Sequence, residues 1–392
     1  MAIFVVPLQP DMSRLSLIVL LTGVLYLCPE AAFARLENKP VEQCDSTRIP
    51  KAKQNWNKFL AFADRWFSRG IDTTYLALPK YPFRVAYRSE VGGAHTYLDA
   101  EGLPYFDNLT ARFHTNPTPK MGVNVAFRNF NIGYMVDLFK GYSNFGLAFI
   151  QNAWGLDIQR RKTSYAHGYF DASAIEGKKE IDSDDIFITT LFVSAYYAFN
   201  NKKFSIPAAV KQSYIQRKSA GAPLLYADFR YADLVFNEDA YIVQAGGTRE
   251  LELYQIAIGA GYGYNYTPNH GKVLLHISVI PMITVFNQML MTGDSRMFWH
   301  SEEDDYNLVF SRKVKPRFPV FFTGMVRTAV VWNINDRFVL AWSGVCHNIR
   351  FRMQDKMFDI DREDLDLYYN TIINAHIMTW DWRTDVIFGV RF

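Results

Sequence analysis

The sequence predicts an all-β fold: a closed antiparallel transmembrane β-barrel of roughly 12 strands, with 10 and 14 as the neighbouring solutions, preceded by a short amphipathic helix. Three observations predict it. After Asp72 most of the chain alternates apolar and polar residues in segments of about ten, the length that crosses a bilayer as a tilted strand. The 392 residues include 23 Tyr and 31 Phe, and an aromatic share of 16% exceeds what a compact core needs but suits rings at two headgroup levels. The last stretch, "TDVIFGVRF", places Val386, Phe388, Val390 and Phe392 on one face and Asp385, Ile387, Gly389 and Arg391 on the other.

The first element is a targeting segment. Arg14, the apolar run Leu15 to Leu27 and the pattern Ala32-Phe33-Ala34 read as a secretory signal peptide cleaved after Ala34. The run is shorter than the roughly 20 residues of a spanning helix, which disfavours a retained anchor. Met12 offers a more ordinary start. Cys28 follows Leu27, where a lipoprotein signal wants a small residue, so lipidation is the minor reading. The expected organisation is residues 1–34 as signal, 35–71 as a periplasmic segment and 72–392 as the barrel. Cys44 and Cys346 then remain in an oxidising compartment, which permits one bridge and excludes a disulfide scaffold. A formal charge of +3 provides no broad field for nucleic acid.

The second element is a helix over Lys51 to Arg69. Trp56, Phe59, Leu60, Ala63, Trp66 and Phe67 recur at helical spacing opposite Lys53, Lys58 and Asp64. It suits a membrane surface, a lumen plug or packing on its own domain.

The strands follow. In "ELYQIAIGAGYGYNY", Tyr254, Ile256, Ile258, Ala260, Tyr262 and Tyr264 oppose Gln255, Ala257, Gly259, Gly261, Gly263 and Asn265. "LYYNTIINAHIMTW" sets Tyr369, Ile373, Ala375 and Ile377 against Asn370, Asn374 and His376. Met121, Val123, Val125 and Phe127 oppose Lys120, Gly122, Asn124 and Arg128, and Ile132, Tyr134, Val136 and Leu138 oppose Asn131, Gly133 and Asp137. Further segments are expected near 83–90, 106–114, 144–151, 154–163, 189–200, 209–218, 222–232, 272–286, 319–333 and 337–352. The polar faces are rich in Gly, Asn and Ser with scattered Arg and Asp, which suits an enclosed wet interior. A soluble two-sheet sandwich would carry Lys, Glu and Thr there instead. Within lipid only a closed barrel satisfies every backbone group.

Several runs carry a family resemblance: "GIDTTYL", "NVAFRNFNIGYMVDL", "WGLDIQRRKT", "AYYAFNNKKFSIPAAVKQSYIQRKSAGAPL" and "GAGYGYNY". They resemble an uncharacterised family of bacterial outer-membrane barrels of Bacteroides type, the domain of unknown function 4421, from about Asp72 to Phe392. The most specific part is Tyr197, Phe199, Asn200, Lys203, Phe204, Ser205, Pro207, Ala208 and Ala209, then Gln216, Arg217, Ser219, Ala220 and Gly221. Ala222-Pro223 departs from the small polar residue expected after that glycine. The resemblance implies the outer membrane of a Gram-negative bacterium, export by the signal, and a C-terminal assembly signal at Val386, Phe388, Val390 and Phe392 read by the barrel-assembly machinery. It implies no activity.

For chemistry the sequence offers little. A membrane-embedded lipid hydrolase needs a nucleophile and a His base on the outer rim. The pairs His276 with Ser278 and His347 with Ser343 are two and four residues apart in strands, where the pleat alone brings side chains together. His300 with Glu302, Glu303, Asp304 and Asp305 has carboxylates for Ca²⁺ but no EF-hand spacing. No phosphate loop, nucleophile elbow or Cys/His metal spacing occurs, so no catalytic group, metal or cofactor is expected. Arg128, Asp157, Arg161, Arg217, Arg230, Arg327 and His376 are expected to face inward. Such a mixture either lines a porin-like path for small solutes or fills and locks the interior, and a count near twelve does not decide between them. The expected partners are outer-membrane lipid and the assembly machinery.

Overall fold

Strict period-two alternation forces one side chain in two to each face of a strand, and curling the sheet until its edges meet separates those faces into inside and outside. The computed structural model describes residues 51–103, 106–140, 142–165, 167–172, 178–181, 186–237, 248–294, 309–314, 320–356 and 372–392. Ala34, Cys44 and the run 300–305 lie outside the described residues. Two units divide the chain, Met1–Phe59 and Leu60–Phe392, and the barrel belongs to the second.

Helix α1 covers Lys51–Phe67. Its buried stripe is Ala63 and Phe67, while Phe59, Phe62 and Trp66 are exposed. The expected apolar face is therefore only partly covered. Next come β1 (Leu76–Ala77), β2 (Phe83–Leu103), β3 (Phe106–His114), β4 (Thr118–Phe127), β5 (Phe130–Asp137), β6 (Ser143–Ile150), β7 (Trp154–Tyr165), β8 (His167–Ala172), β9 (Lys179–Ile181) and β10 (Ile186–Ala198). Helix α2 (Ile206–Val210) and β11 (Ile215–Gln216) interrupt the pattern before β12 (Ala220–Phe236), β13 (Thr248–Tyr266), β14 (Val273–Asp294), β15 (Val309–Val314), β16 (Phe322–Asn333), β17 (Phe338–Lys356) and β18 (Ile372–Arg391).

Twelve of these strands form one antiparallel ring in the order β2-β4-β5-β6-β7-β10-β12-β13-β14-β16-β17-β18, and β18 returns to β2. The seam runs from Arg391 opposite Arg84 to Asn374 opposite Glu101 without a register shift. The two-sheet alternative is excluded by this closure. Strand β3 pairs only the second half of β2, β8 and β9 continue outward from it, and β15 extends β14. These additions mark the far rim. At the near rim the turns are short, as at Arg128-Asn129 between β4 and β5, except for the long β10–β12 connection.

Faces separate as the alternation requires. Along β13, Gln255, Ala257, Gly263 and Asn265 are buried, and Ile256, Ile258, Tyr262 and Tyr264 are exposed. Every ring strand presents at least one large apolar side chain outward: Tyr87, Met121, Ile132, Phe145, Leu156, Tyr197, Leu225, Ile256, Ile277, Val326, Trp342 and Val386 in turn. Val386, Phe388, Val390 and Phe392 share that outward face. Cys346 is a free thiol on β17.

The segment 209–218 is not a ring strand. Ser205 caps α2 by accepting from the Ala208 N–H at 3.2 Å, and Pro207 stands in its first turn, a start signal that an extended reading overlooks. After α2 the chain turns through Gln212, whose φ is 49°, and β11 pairs with β1 through Leu76 opposite Gln216.

Candidate functional site

The connection between β10 and β12 enters the barrel from the near rim and plugs it. Phe204, Ile206, Ala208, Ala209 and Tyr214 are all buried. Phe204 and Ile206 pack among Ile150, Tyr196, Leu224, Ile280 and Met325, which come from five different ring strands. Ala208, Ala209 and Tyr214 pack against Ala86, Leu274, Val331, Ala341 and Ile387 on another arc of the wall. Small side chains on α2 let its backbone come close to the wall, and the aromatic residues at either end of the segment fill what remains.

Polar groups fix this plug in register. Gln216 is buried, and its Oε1 accepts from Ser205 N at 3.1 Å and Asn265 Nδ2 at 3.0 Å. Its Nε2 donates to the carbonyls of Lys203 at 2.6 Å and Lys218 at 2.8 Å. Asn265, on the β13 wall, also donates to Ser205 O at 2.8 Å. The Asn265 Oδ1 lies 2.7 Å from His276 Nδ1, and His276 Nε2 lies 3.2 Å from Ser278 Oγ. With Asn265 as acceptor, Nδ1 carries the proton and Nε2 accepts from the serine hydroxyl. Tyr214 donates its hydroxyl to Phe67 O at 2.9 Å and accepts from Asn129 Nδ2 at 3.1 Å. Burial raises its pKa and so keeps it a phenol. Lys211 Nζ reaches Asp157 on β7 at 3.4 Å; burial lowers its pKa, and the Asp157 carboxylate opposes that shift.

Beyond the plug lies a belt of charge pairs inside the lumen, some between neighbouring strands and some across it. Arg88 contacts Asp385 at 2.8 Å and Glu90 at 3.2 Å. Arg161 contacts Asp381 at 2.8 Å and Glu90 at 3.6 Å. Asn144 donates to Glu90 at 3.0 Å, while Lys120 donates to Asn144 Oδ1 at 3.1 Å and Lys162 O at 2.9 Å. Arg383 donates to Gln159 Oε1. These groups meet from β2, β4, β6, β7 and β18, so the belt spans the interior. Past it, toward the far rim, a recess is lined by small and apolar groups such as Gly92, Ala94, Ile188, Ala232 and Ile349, with Glu90, Lys120, Arg161 and Asp381 as its floor.

The charges expected inside divide accordingly. Asp157, Arg161, Arg230 and Arg327 face the lumen. Arg230 pairs with Asp228 at 3.1 Å and donates to Thr323 Oγ1 at 3.0 Å and Asn348 O at 3.2 Å, which spans from β12 to β16 and β17. Arg327 reaches Tyr226 Oη at 3.5 Å. Three placements are corrections. Arg128 lies in the β4–β5 turn with φ 50°, and there it pairs with Asp64 of α1 at 2.6 Å and donates to Pro79 O at 2.6 Å. Arg217 has left the plug and is exposed, held by Tyr75 O and Thr73 O at 2.7 and 3.2 Å. His376 shares the outward parity of Trp380 and Val386, because the buried positions of β18 are Ala375, Asp381 and Asp385.

The proposed nucleophile pairs also resolve. His276 and Ser278 are in contact but buried beneath the plug. Ser343 instead donates to Asp385 at 3.1 Å, and His347 stacks on Phe192 with ring centroids 5.4 Å apart. Among the described residues no group of three or more His, Cys, Asp or Glu is arranged to hold a metal ion. Sequence reasoning missed Lys211 and Gln212 and gave Gln216 no structural role; the signal for the plug was Ser205 followed by Pro207.

No curated protein matches the chain. Solved structures with a similar chain path include the outer membrane protease OmpT from Escherichia coli, at TM-score 0.40 and 8% identity, covering 82% of this chain and 100% of that one. They also include the P. putida toluene transporter TodX, at TM-score 0.23 and 7% identity over 80% and 91% of the two chains. A Pseudomonas aeruginosa FadL homologue is similar at TM-score 0.24 and 9% identity over 79% and 90%. A family model matches residues 71–369, most of the chain and all of the plug, and the protein belongs to that family, the domain of unknown function DUF4421.

Proposed function

We propose that the protein is an outer-membrane barrel that is closed at rest, a structural envelope protein with a blind cup on its far rim, in a Gram-negative bacterium of Bacteroides type. The observation that carries this reading is the plug: residues 204–216 occupy the near mouth with buried side chains, and the charge belt blocks what lies behind them. A passive conduit would need both to move.

Membrane residence rests on the outward faces. A continuous girdle of Tyr, Trp, Ile, Val and Phe around a closed ring is a large apolar surface, and hydrocarbon is the solvent that suits it. Export by the signal peptide and folding by the barrel-assembly machinery follow from that location. The lipid-hydrolase reading is the weaker one, because Ser278 is turned away from lipid and sealed under the plug.

Purified protein in planar bilayers tests the proposal. The native chain is expected to stay silent, and a variant that lacks residues 205–213 and also has the belt opened by Glu90→Ala, Arg161→Ala and Asp381→Ala is expected to give discrete steps. Steady steps from the native chain would overturn it.

A further inference from the structure

We infer that a phosphate-class oxyanion binds between the barrel seam and the plug, held by Arg84 and Arg391. The two arginines sit directly opposite each other on β2 and β18, and both are buried and face inward. Arg84 donates to the Lys211 carbonyl and, at 2.7 Å, to Gln212 Oε1. Arg391 donates to Asn333 Oδ1 at 2.9 Å and to Gln212 O at 3.5 Å. All of these acceptors are neutral. Among the described residues neither guanidinium has a carboxylate within ion-pair distance, although Asp336 lies in the neighbourhood of Arg391.

Two like charges facing each other on adjacent strands repel, and burial raises the cost of leaving them uncompensated. The carbonyls at the end of α2 supply only partial negative charge. Donors are left over as well: Arg84 Nε and Arg391 Nη1 are buried with no hydrogen-bond partner. Both residues line one narrow cleft, together with Arg128, Lys211, Ser213 and Tyr81, and no carboxylate lines it. Arg128 and Lys211 already have Asp64 and Asp157, so two positive charges remain unmatched. A tetrahedral dianion balances both charges and offers oxygens to two guanidinium forks at once; a monocarboxylate fits one fork but balances only one charge, and a halide fits neither fork. The same chemistry arrives either as inorganic phosphate or as the phosphomonoester of a lipid headgroup.

This inference goes beyond the closed-lumen proposal and does not depend on it, since binding is measured without conductance. The folded full-length protein in detergent is dialysed against radiolabelled inorganic phosphate, and separately against dihexanoyl phosphatidic acid, with chloride matched for ionic strength. One saturable site per chain is expected, with affinity reduced roughly tenfold or more in Arg84→Gln and in Arg391→Gln and unchanged in Arg217→Gln. Binding of phosphate assigns the free anion, and binding of the lipid phosphate alone assigns the headgroup; either supports the site. Binding of neither, or binding retained in both arginine variants, overturns it. If those variants do not fold, phenylglyoxal labelling of the native chain decides: phosphate is expected to protect Arg84 and Arg391, and equal labelling with and without phosphate overturns the site.

Discussion

Arg161 on β7 faces both carboxylate oxygens of Asp381 on β18, at 2.8 and 2.9 Å, across the barrel interior. Arg161→Met leaves Asp381 without its ion-pair partner and removes one of the two cations on Glu90. Removing one side of a buried pair costs about 3–5 kcal/mol. The expected outcome is a lower temperature at which the folded band disappears in a heat-modifiability gel, with Asp381→Asn behaving alike. The double variant should lose less than the two singles together, and full additivity would show that the pair does not act as a unit.

Phe204 is the plug residue with the deepest apolar anchorage, and the wall glycine beside it sets a close fit. A Cβ added at Gly263 would meet Phe204 Cζ at 2.8 Å and Leu224 Cδ1 at 3.0 Å, whereas one added at Gly146 meets nothing nearer than 3.9 Å. Overpacking of this kind costs about 1–3 kcal/mol. Gly263→Ala is expected to speed proteolysis at the plug while Gly146→Ala leaves it unchanged. Equal cleavage of the two would refute the fit.

Lipid contact is testable ring by ring. Trp332, Trp342 and Trp380 are exposed on the outer face. In bilayers of brominated phospholipid, variants that retain one of these tryptophans at a time are expected to lose much of their fluorescence. Emission as strong as in unbrominated lipid would mean that the girdle meets water.

The far-rim extension carries a row of imidazoles, His95, His114 and His167, on adjacent strands with ring centroids 5.9 and 6.2 Å apart. Burial first, and then the rings of His95 and His167, hold the His114 pKa below its ordinary 6.5. The unfolded segment therefore takes up the proton more readily than the folded one, so stability falls as pH drops through the ordinary imidazole range. Amide exchange in β3 and β8, corrected for intrinsic rates, is expected to quicken between pH 7.5 and 5.5. His114→Gln should remove that dependence, and a persisting one would assign it elsewhere.

The alternation was legible wherever the outer face and the lumen differ most. Ile256 against Gln255 and Ile132 against Asn131 are fixed by the pleat, and no tertiary knowledge is needed to assign their sides. His376 lies where the long strands approach the far rim, and polarity there no longer separates inside from outside. Arg128 and Arg217 stand at the ends of extended segments, beyond the reach of a two-residue period. The pair Arg161 and Asp381 was out of reach for another reason: 220 residues separate them, and only ring closure decides which strands meet. The plug was readable in principle, since Ser205 and Pro207 announce a helix, but the polar alternation downstream of it imitates a strand.

The seam described above joins Arg84 to Arg391, so β2 and β18 can zip only after every strand between them has been made. The β10–β12 connection is made midway and grips both edge strands through Lys211 and Gln212. In the closed cylinder the sheet is curled about its own central insert, with Arg84 and Arg391 latched onto that insert at the seam. Long-range pairings of this kind are slow to form, and the insert is positioned to serve as the template on which the two edges find each other.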